Sequence, residues 1–437
     1  MKYLSTRGHS GEVPLETALR AGLAPDGGLF VPETVSSFPT NAFVGSSSLA
    51  ATAEGALAPY FSGSVLDDRL GVITKDALDL PLPIVEFEAG QSWMLELFHG
   101  PTAAFKDFAA RFLAACLAQL RADGDPVQTV LVATSGDTGG AVAAAFHRRP
   151  GFRVVILYPD GRVSARQAHQ LGAFGDNVHC YKVQGNFDDC QRLAKQALND
   201  AELSDELALT SANSISIGRL LPQISYYVHA AASLAGSLDE PINLIIPTGN
   251  LGNALGAVIA RQTGAAIGDI LLATNANPTL PEFFSGLDYR GRPGIATLAN
   301  AMDVGDPSNF ERLAWLFRDQ DLRSIGLNAV GVADAAIEAI VCNYWKDRGM
   351  AVCPHTACGL EALRQLRERG DDRPWMVAAT AHAAKFDNVV EPLIEAEVPV
   401  PSALAELLDQ PSAATPLETN FSRLKAELSS LNQGKSA

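Results

Sequence analysis

The 437-residue sequence predicts an α/β protein with two parallel-sheet units side by side. The main observation is that, from Val127 onward, short β-branched and apolar runs alternate with helical patterns. A second is that glycine-rich turns lie between several of these runs and the helices after them. Parallel strands need a long crossover, usually a helix, so this alternation is typical of them. The chain is long enough for two or more domains with separate cores.

Composition narrows the class of protein further. Hydrophobic residues make up 47% and charged residues 19%, which is the balance of a compact soluble chain. The formal net charge is −16, so we expect no nucleic-acid partner. Six cysteines form no CxxC pair, which favours small buried residues in a reducing compartment. With no apolar signal region and no run of membrane-spanning length, the expected location is the cytoplasm.

The order of the patterns predicts four regions. Residues 1–95 mix short helical and extended stretches and are expected to form an N-terminal supporting domain. A small α/β domain over 96–235 and a large one over 236–400 follow, with a helical tail over 401–437. Strands are predicted at Thr129–Ala133, Arg153–Tyr158, Val178–Val183, Leu207–Thr210, Ile242–Pro247, Ile270–Thr274 and Trp375–Thr380. Helices are predicted over Thr138–Arg148, Asp188–Asn199 and Ile217–Ala235, and from Ser164 and Asn253.

The segment His99–Phe108 (HGPTAAFKDF) predicts a turn followed by a helix whose first turn holds Lys106. Apolar neighbours and the positive end of the helix dipole both disfavour an ammonium group there. A neutral lysine amine can form an imine with an aldehyde. The alternative is a surface lysine whose stem covers apolar neighbours.

Two glycine-rich loops follow predicted strands. In Thr134–Gly140 (TSGDTGG) the hydroxyls of Ser135 and Thr138 join the free N–H groups of a helix start. Pro247–Asn253 (PTGNLGN) has the same arrangement, and it matches neither a Walker loop nor a dinucleotide fingerprint. Both loops therefore predict sites for a compact phosphate or another anion, the alternative for the first being an ordinary capped βα turn.

A third polar segment, Ser211–Arg219, follows the predicted fourth strand and opens a long helix. Side chains of Asn213, Ser214 and Ser216 can donate hydrogen bonds, and Arg219 has a planar fork suited to phosphate or carboxylate. The alternative is a capped helix start with an exposed arginine. Histidines 99, 355 and 382 lack the spacing of metal ligands, so we expect no metal site. A serine-hydrolase elbow is also missing from the sequence.

Together, a lysine in apolar surroundings, two anion loops and an arginine-bearing loop suggest an aldehyde cofactor with a phosphate group. Pyridoxal 5′-phosphate meets that description, and the extra anion site suggests a substrate with a second negative group.

The same residues resemble the threonine synthase family in the form found in many bacteria and fungi. The resemblance covers nearly the whole chain and rests on motifs that match in order. They are YLSTRG (3–8), 22–32, HGPTAAFKDF (99–108), TSGDTG (134–139), 155–159, 211–213 with Arg219, TGNLG (248–252), NAMDV (300–304) and TAHAAKF (380–386). It implies the fold-type-II architecture of pyridoxal-phosphate enzymes (tryptophan synthase β-like), with an added N-terminal domain. The implied reaction converts O-phospho-L-homoserine and water into L-threonine and phosphate.

Site roles are also implied by this resemblance. Lys106 would hold the cofactor as an imine and later move protons, and Thr380 would hydrogen-bond the pyridine nitrogen. Ser135 and Thr138 would lie near the substrate carboxylate, with Asp137 near the cofactor's phenolic oxygen. The backbone that would grip the cofactor phosphate comprises Gly249, Asn250, Leu251, Gly252 and Asn253. The groups that would bind the leaving phosphate are Asn213, Ser214, Arg219 and Asn250.

Some questions stay open in the sequence. A related lyase releasing 2-oxobutyrate and a non-catalytic binding protein of the same fold are the alternative functions. Leu251 stands where many relatives have phenylalanine, and Cys353 precedes Pro354–His355 where an acidic residue is common, so the role of that segment is undecided. The oligomeric state, monomer or homodimer, is not determined.

Overall fold

Two mainly parallel β-sheets form the frame of the chain in a computed structural model, which describes residues 1–433. A small antiparallel pair lies near the N-terminus. The strands are β1 (Tyr3–Ser5), β2 (Phe30–Pro32), β3 (Ile84–Glu88), β4 (Ser92–Glu96), β5 (Gln128–Ala133), β6 (Phe152–Pro159), β7 (Val178–Val183), β8 (Thr210–Ser211), β9 (Ile242–Pro247), β10 (Ile267–Thr274), β11 (Leu327–Gly331), β12 (Trp375–Ala379) and β13 (Thr415–Leu417).

The α-helices cover both sheets and form most of the N-terminal region. They are α1 (Leu15–Ala21), α2 (Leu49–Phe61), α3 (Leu70–Leu78), α4 (Lys106–Gln119), α5 (Asp137–Phe146), α6 (Ala165–Gly172), α7 (Phe187–Asn199), α8 (Ala201–Leu207), α9 (Ile217–Leu234), α10 (Gly252–Gln262), α11 (Thr279–Phe284), α12 (Phe310–Leu316), α13 (Asp334–Arg348), α14 (Pro354–Glu368), α15 (Asp387–Ile394), α16 (Ser402–Leu408) and α17 (Phe421–Gln433). Short 3₁₀ turns lie at Asp67–Arg69, Asn300–Met302, Leu322–Ser324 and Ala383–Phe386.

The larger sheet has six strands in the order β11-β10-β9-β12-β4-β3. Only its edge strand β3 runs antiparallel, pairing with β4. All residues of β9 and β12 are buried, as expected for strands covered by helices on both faces. Strands β3 and β4 come from the chain before residue 97, so the N-terminal part of the chain contributes to this sheet.

The smaller sheet has five parallel strands in the order β13-β7-β6-β5-β8. Its edge strand β13 comes from the C-terminal tail, of which residues 434–437 lie outside the described part. The strand predicted at Leu207–Thr210 begins too early, because Leu207 belongs to a helix. Asp200 accepts a hydrogen bond from the Leu203 N–H and caps α8, which runs to Leu207, and Ala208 ends it with a φ of 46°. The strand is therefore shorter, Thr210–Ser211.

The other predicted strands and helices are confirmed, with ends shifted by a few residues. Helix α9 is buried along nearly its whole length and packs against α2, α4 and α10. It lies at the centre of the molecule, which explains why its pattern is apolar on most faces. The sequence-based fold class, two α/β units with an added N-terminal region, is confirmed.

Candidate active site

The predicted site residues follow the carboxyl ends of strands from both sheets. Lys106 comes after β4, the TSGDTG loop after β5, the 212–216 loop after β8, the TGNLG loop after β9, and Thr380 directly after β12. Ligand sites of open α/β sheets occupy this edge. Two of these segments are joined directly, because the Phe105 N–H donates to the Thr380 carbonyl at 2.9 Å.

Lys106 is the first residue of α4, as the sequence predicted, and its side chain is 15% exposed. Its Nζ lies 3.7 Å from Asp137 Oδ2 and over the Phe105 ring, 5.1 Å from the centroid. Burial lowers the pKa of Lys106; Asp137 opposes the shift, while the charges of Lys385 and Arg219 add to it. The direction expected from the sequence is therefore confirmed, with burial as the main cause.

The turn before Lys106 is held by a buried carboxylate. Asp107 accepts hydrogen bonds from the Thr102 N–H at 2.8 Å and from the Thr102 hydroxyl at 2.6 Å. A Cβ on Gly100 would lie 2.4 Å from Asp107 Oδ2, so only glycine fits there. This closed turn fixes the direction in which α4 begins and hence the position of Lys106.

Asp137 is the first residue of α5 and is buried beside two lysines. Its Oδ1 lies 2.8 Å from Lys385 Nζ and accepts from Gln167 Nε2 at 3.0 Å. Burial alone would raise its pKa, but the ammonium groups of Lys385 and Lys106 outweigh burial and hold the pKa below its ordinary value. Asp137 is therefore an ionised carboxylate at neutral pH.

The loop between β9 and α10 offers backbone donors. Among the described residues, the N–H groups of 249–253 have no hydrogen-bond partner in the protein. A Cβ on Gly249 would lie 2.7 Å from Met302 Cα, and Leu251 adopts a φ of 61°. This is the geometry of an anion cradle at a helix start, while the Leu251 side chain is buried in the hydrophobic core.

The cradle is connected to the 212–216 loop. Asn250 Nδ2 donates to Ser214 Oγ at 2.7 Å, and Asn309 Nδ2 donates to the Asn250 carbonyl at 3.0 Å. Arg312, fully buried, donates to Asn309 Oδ1 at 2.8 Å and to backbone carbonyls of Phe30 and the 212–216 loop. Arg312 was not predicted from the sequence, because a single arginine in a loop-rich insert carries no local signal.

Arg219 is buried in the first turn of α9, where it donates to the Ala212 carbonyl at 2.5 Å. Its Nε and two neighbouring polar atoms, Asn213 Oδ1 and Ser216 Oγ, are buried without a partner among the described residues. Burial lowers the pKa of Arg219 to about 10, so the guanidinium stays charged at neutral pH. The alternative of an exposed arginine is therefore wrong.

His355, whose role the sequence left open, is also buried in the site. Its Nε2 accepts from the Ala301 N–H at 3.1 Å, so the ring proton is on Nδ1, which has no partner among the described residues. Burial lowers the pKa of His355 to about 4, so the ring is neutral. Within residues 1–433, no three His, Cys, Asp or Glu side chains are grouped to hold a metal ion.

These residues fit a phosphorylated aldehyde cofactor. Lys106 is a partly exposed amine with a lowered pKa, and the 249–253 backbone offers unpartnered donors for a phosphate. The buried hydroxyl-bearing residue Thr380 and the carboxylate of Asp137 lie on the two segments that adjoin Lys106. Ser135 and Thr138 are half-buried at the start of α5. Lys385 and Gln167 were not predicted as site residues, although Lys385 lies in the TAHAAKF motif.

Three family models match the chain. They are "Pyridoxal-phosphate dependent enzyme" over residues 83–381, "Threonine synthase N terminus" over 2–78 and "Threonine synthase, C-terminal" over 356–427. The threonine synthase of Serratia marcescens is 36% identical over 433 residues, covering 99% of this chain and 100% of the relative. That of Escherichia coli K12 is 36% identical, covering 97% and 98%.

Solved structures give the same result. The crystal structure of threonine synthase from Escherichia coli superposes with a TM-score of 0.90 at 34% identity, covering 99% of this chain and 100% of that chain. The structure of PLP-bound threonine synthase from Brucella melitensis superposes with a TM-score of 0.89 at 33% identity, covering 100% of both chains.

Proposed function

This chain belongs to the threonine synthase family of pyridoxal-phosphate-dependent enzymes, and we propose that Lys106 is the residue that bonds its cofactor. The function is that of a threonine synthase, a lyase. The proposed substrate is O-phospho-L-homoserine, which reacts with water to give L-threonine and phosphate. One observation supports the choice of lysine most strongly: the Lys106 amine has a lowered pKa, and its segment and the 249–253 loop both follow the carboxyl ends of parallel strands in one sheet.

Pyridoxal phosphate, when bound, supplies an aldehyde that condenses with amines and a ring that delocalises negative charge from substrate carbons. Residues 249–253 would hold its phosphate through backbone N–H groups, which needs no charged side chain. Thr380 would donate its hydroxyl to the pyridine nitrogen, and Asp137 would lie near the phenolic oxygen. Both stay proposals from the resemblance, supported by the burial of the two residues.

Lys106 also serves as the proton carrier in this proposal. Its neutral amine would take a proton from the substrate's α-carbon, and its ammonium form would return one to the substrate. The lowered pKa supports this role, because burial shifts Lys106 toward the neutral amine that can take up a proton. Water finally adds at the β-carbon, which becomes the hydroxyl-bearing carbon of threonine.

The leaving phosphate has its own proposed site. Arg219 Nε is buried without a partner among the described residues, and Asn213 Nδ2 has a second N–H besides the one it donates to the Ala133 carbonyl. The Asn250–Ser214 hydrogen bond joins the 212–216 loop to the cofactor cradle. A guanidinium and amide donors suit a phosphate dianion. Ser135 and Thr138, which precede and follow Asp137 at the start of α5, would bind the substrate carboxylate.

We further propose domain boundaries near residues 95, 235 and 400. We also propose that the enzyme acts in the cytoplasm. All six cysteines are free, which suits a reducing compartment. Among the described residues, no helix combines the length and apolar character needed to cross a membrane.

Borohydride trapping tests the proposed lysine. The chain is loaded with pyridoxal phosphate, reduced, digested and analysed by mass spectrometry, and we expect the cofactor mass on the peptide with Lys106. Lys106→Ala should lose the adduct and threonine formation, while Lys195→Ala, at an exposed helical position, should keep both. An adduct on another lysine would contradict the assignment.

Product analysis separates the alternative functions. With O-phospho-L-homoserine we expect threonine and phosphate in equal amounts. Phosphate with 2-oxobutyrate would indicate the related eliminating lyase. If the chain binds no cofactor and forms neither threonine nor 2-oxobutyrate, it is a non-catalytic binding protein.

A further inference from the structure

Lys385 is a second lysine in the site, and neither the sequence motifs nor the proposed reaction assigns it a role. Its side chain is 1% exposed, in the 3₁₀ turn Ala383–Phe386 after Thr380. A lysine is rarely buried to this extent unless its charge is paired. We therefore expect its ammonium group to be paired with a carboxylate or with carbonyl oxygens.

The Lys385 ammonium joins two segments that meet at Lys106. It donates to the Thr102 carbonyl at 2.7 Å, in the turn before α4, and lies 2.8 Å from Asp137 Oδ1 at the start of α5. Thr102 in turn donates to the Asp107 carboxylate. Lys385 thus links the lysine-bearing turn to the carboxylate that faces Lys106.

Asp137 is paired unequally with the two lysines. Its Oδ1 is 2.8 Å from Lys385 and accepts from Gln167 at 3.0 Å, whereas its Oδ2 is 3.7 Å from Lys106. The shorter distance is that of a charge-assisted hydrogen bond and the longer one is not. The Asp137 carboxylate is therefore hydrogen-bonded to Lys385 and not to Lys106.

We propose that Lys385 is a positioning residue that occupies Asp137 and thereby keeps the Lys106 amine available for bonding the cofactor. This inference rests on the proposed role of Lys106. The amine's lone pair forms the bond to the aldehyde carbon, the nitrogen gives up its two protons, and the oxygen leaves as water. An ammonium group paired with a carboxylate has no lone pair and cannot begin that step.

The charges around Lys106 support this assignment. The groups that act on it are Asp137 at the start of α5, Lys385 in its 3₁₀ turn and Arg219 on α9, while His355 on α14 is neutral and faces the same cluster. Asp107, the next residue on α4, is hydrogen-bonded to Thr102. Without the Lys385 charge, Lys106 would lose a repelling neighbour and become the nearest cation to Asp137, and both changes favour its ammonium form.

Amine labelling measures this effect without turnover. The full-length chain is freed of cofactor, acetylated with trace acetic anhydride over a pH series, and the labelling of Lys106 is read from its peptide by mass spectrometry. In Lys385→Gln, whose amide can still donate to Asp137, the pH midpoint of Lys106 should rise by about one unit. Lys385→Arg keeps the charge and should keep the wild-type midpoint, and exposed Lys195 serves as the internal standard.

An unchanged Lys106 midpoint in Lys385→Gln would overturn the proposal. Should that variant fail to fold, the wild-type chain still tests it, since coincident midpoints for Lys106 and Lys195 would overturn it as well. Borohydride trapping keeps the two proposals distinguishable. A cofactor found on a lysine other than Lys106 defeats the proposed function, whereas a cofactor on Lys106 with an unresponsive midpoint defeats only the role of Lys385.

Discussion

The two glycine-rich loops look alike in the sequence but differ in their hydrogen bonds and charges in the structure. In the β9–α10 loop, the N–H groups of 249–253 have no protein partner among the described residues, and Thr248–Asn253 includes no charged side chain. In the β5–α5 loop, Thr134 Oγ1 accepts from the N–H groups of Gly136 and Gly139 at 3.0 and 2.9 Å. That loop also carries the Asp137 carboxylate with its two lysines.

This difference shows that a strand–glycine–helix motif does not by itself specify an anion site. The β9–α10 loop offers an anion only its shape and its unpartnered backbone donors. The β5–α5 loop uses part of its backbone internally and carries a buried carboxylate paired with a lysine. Charge changes and pH should therefore affect the second loop, and steric changes should affect cofactor binding at the first.

The largest expected effect comes from Asp137→Asn. This change leaves the Lys385 ammonium buried without a counter-charge, which costs about 3–5 kcal/mol of the free energy of unfolding. Urea unfolding of the cofactor-free chain measures this loss. The double variant Asp137→Asn with Lys385→Met removes both charges and should recover much of the stability. A single variant within 1 kcal/mol of wild type would show that the pair is not a buried charge network.

Acid pH should lower the free energy of unfolding through His355. Burial lowers the pKa of His355 to about 4, from an ordinary value of about 6.5. Above pH 6.5 the ring is neutral in both states and contributes no pH dependence. As pH falls from 6.5 to 4, only the unfolded chain takes up the proton, so stability decreases by about 3 kcal/mol. His355→Gln should lose this part of the pH dependence, and parallel curves for both proteins would contradict it.

Cofactor binding should respond to a single methyl group in the β9–α10 loop. In Gly249→Ala the new Cβ meets the Met302 backbone at 2.7 Å, so the loop must shift and the dissociation constant of pyridoxal phosphate should rise about 100-fold, or ~2.7 kcal/mol. Gly252→Ala is the matched control, because its Cβ meets nothing closer than 3.6 Å. Equal affinities in a fluorescence titration of the two variants would show that loop shape does not control phosphate binding.

The smallest effect is expected for Thr134→Val in the β5–α5 loop. Loss of the hydroxyl leaves the Gly136 and Gly139 N–H groups without their acceptor, which should cost about 2 kcal/mol of stability. Thr134→Ser keeps the acceptor and should lose only about 1 kcal/mol, from its missing methyl group. Thermal unfolding compares the two; a serine variant as unstable as the valine variant would rule out the capping role.

Much of the local structure could be predicted without coordinates. Lys106 was expected in the first turn of its helix because a glycine–proline turn precedes an apolar 3.6-residue pattern, and α4 begins at that residue. Both glycine-rich loops were expected between strand and helix for similar reasons. The prediction was less accurate at Leu207, where an apolar run favours a strand and the cap at Asp200 favours a helix. In the structure Leu207 is the last residue of helix α8.

Local sequence patterns were enough to locate the strands and helices, and the short stretches that carry the lysine, the glycines and the arginine, because these depend on neighbouring residues. Long-range packing established that Lys385 pairs with Asp137, that buried Arg312 connects Phe30 to the 212–216 loop, and that β13 pairs with β7. Such partners are far apart along the chain. Their contacts depend on how the two sheets and the helices pack, and periodicity along the chain carries no information about that packing.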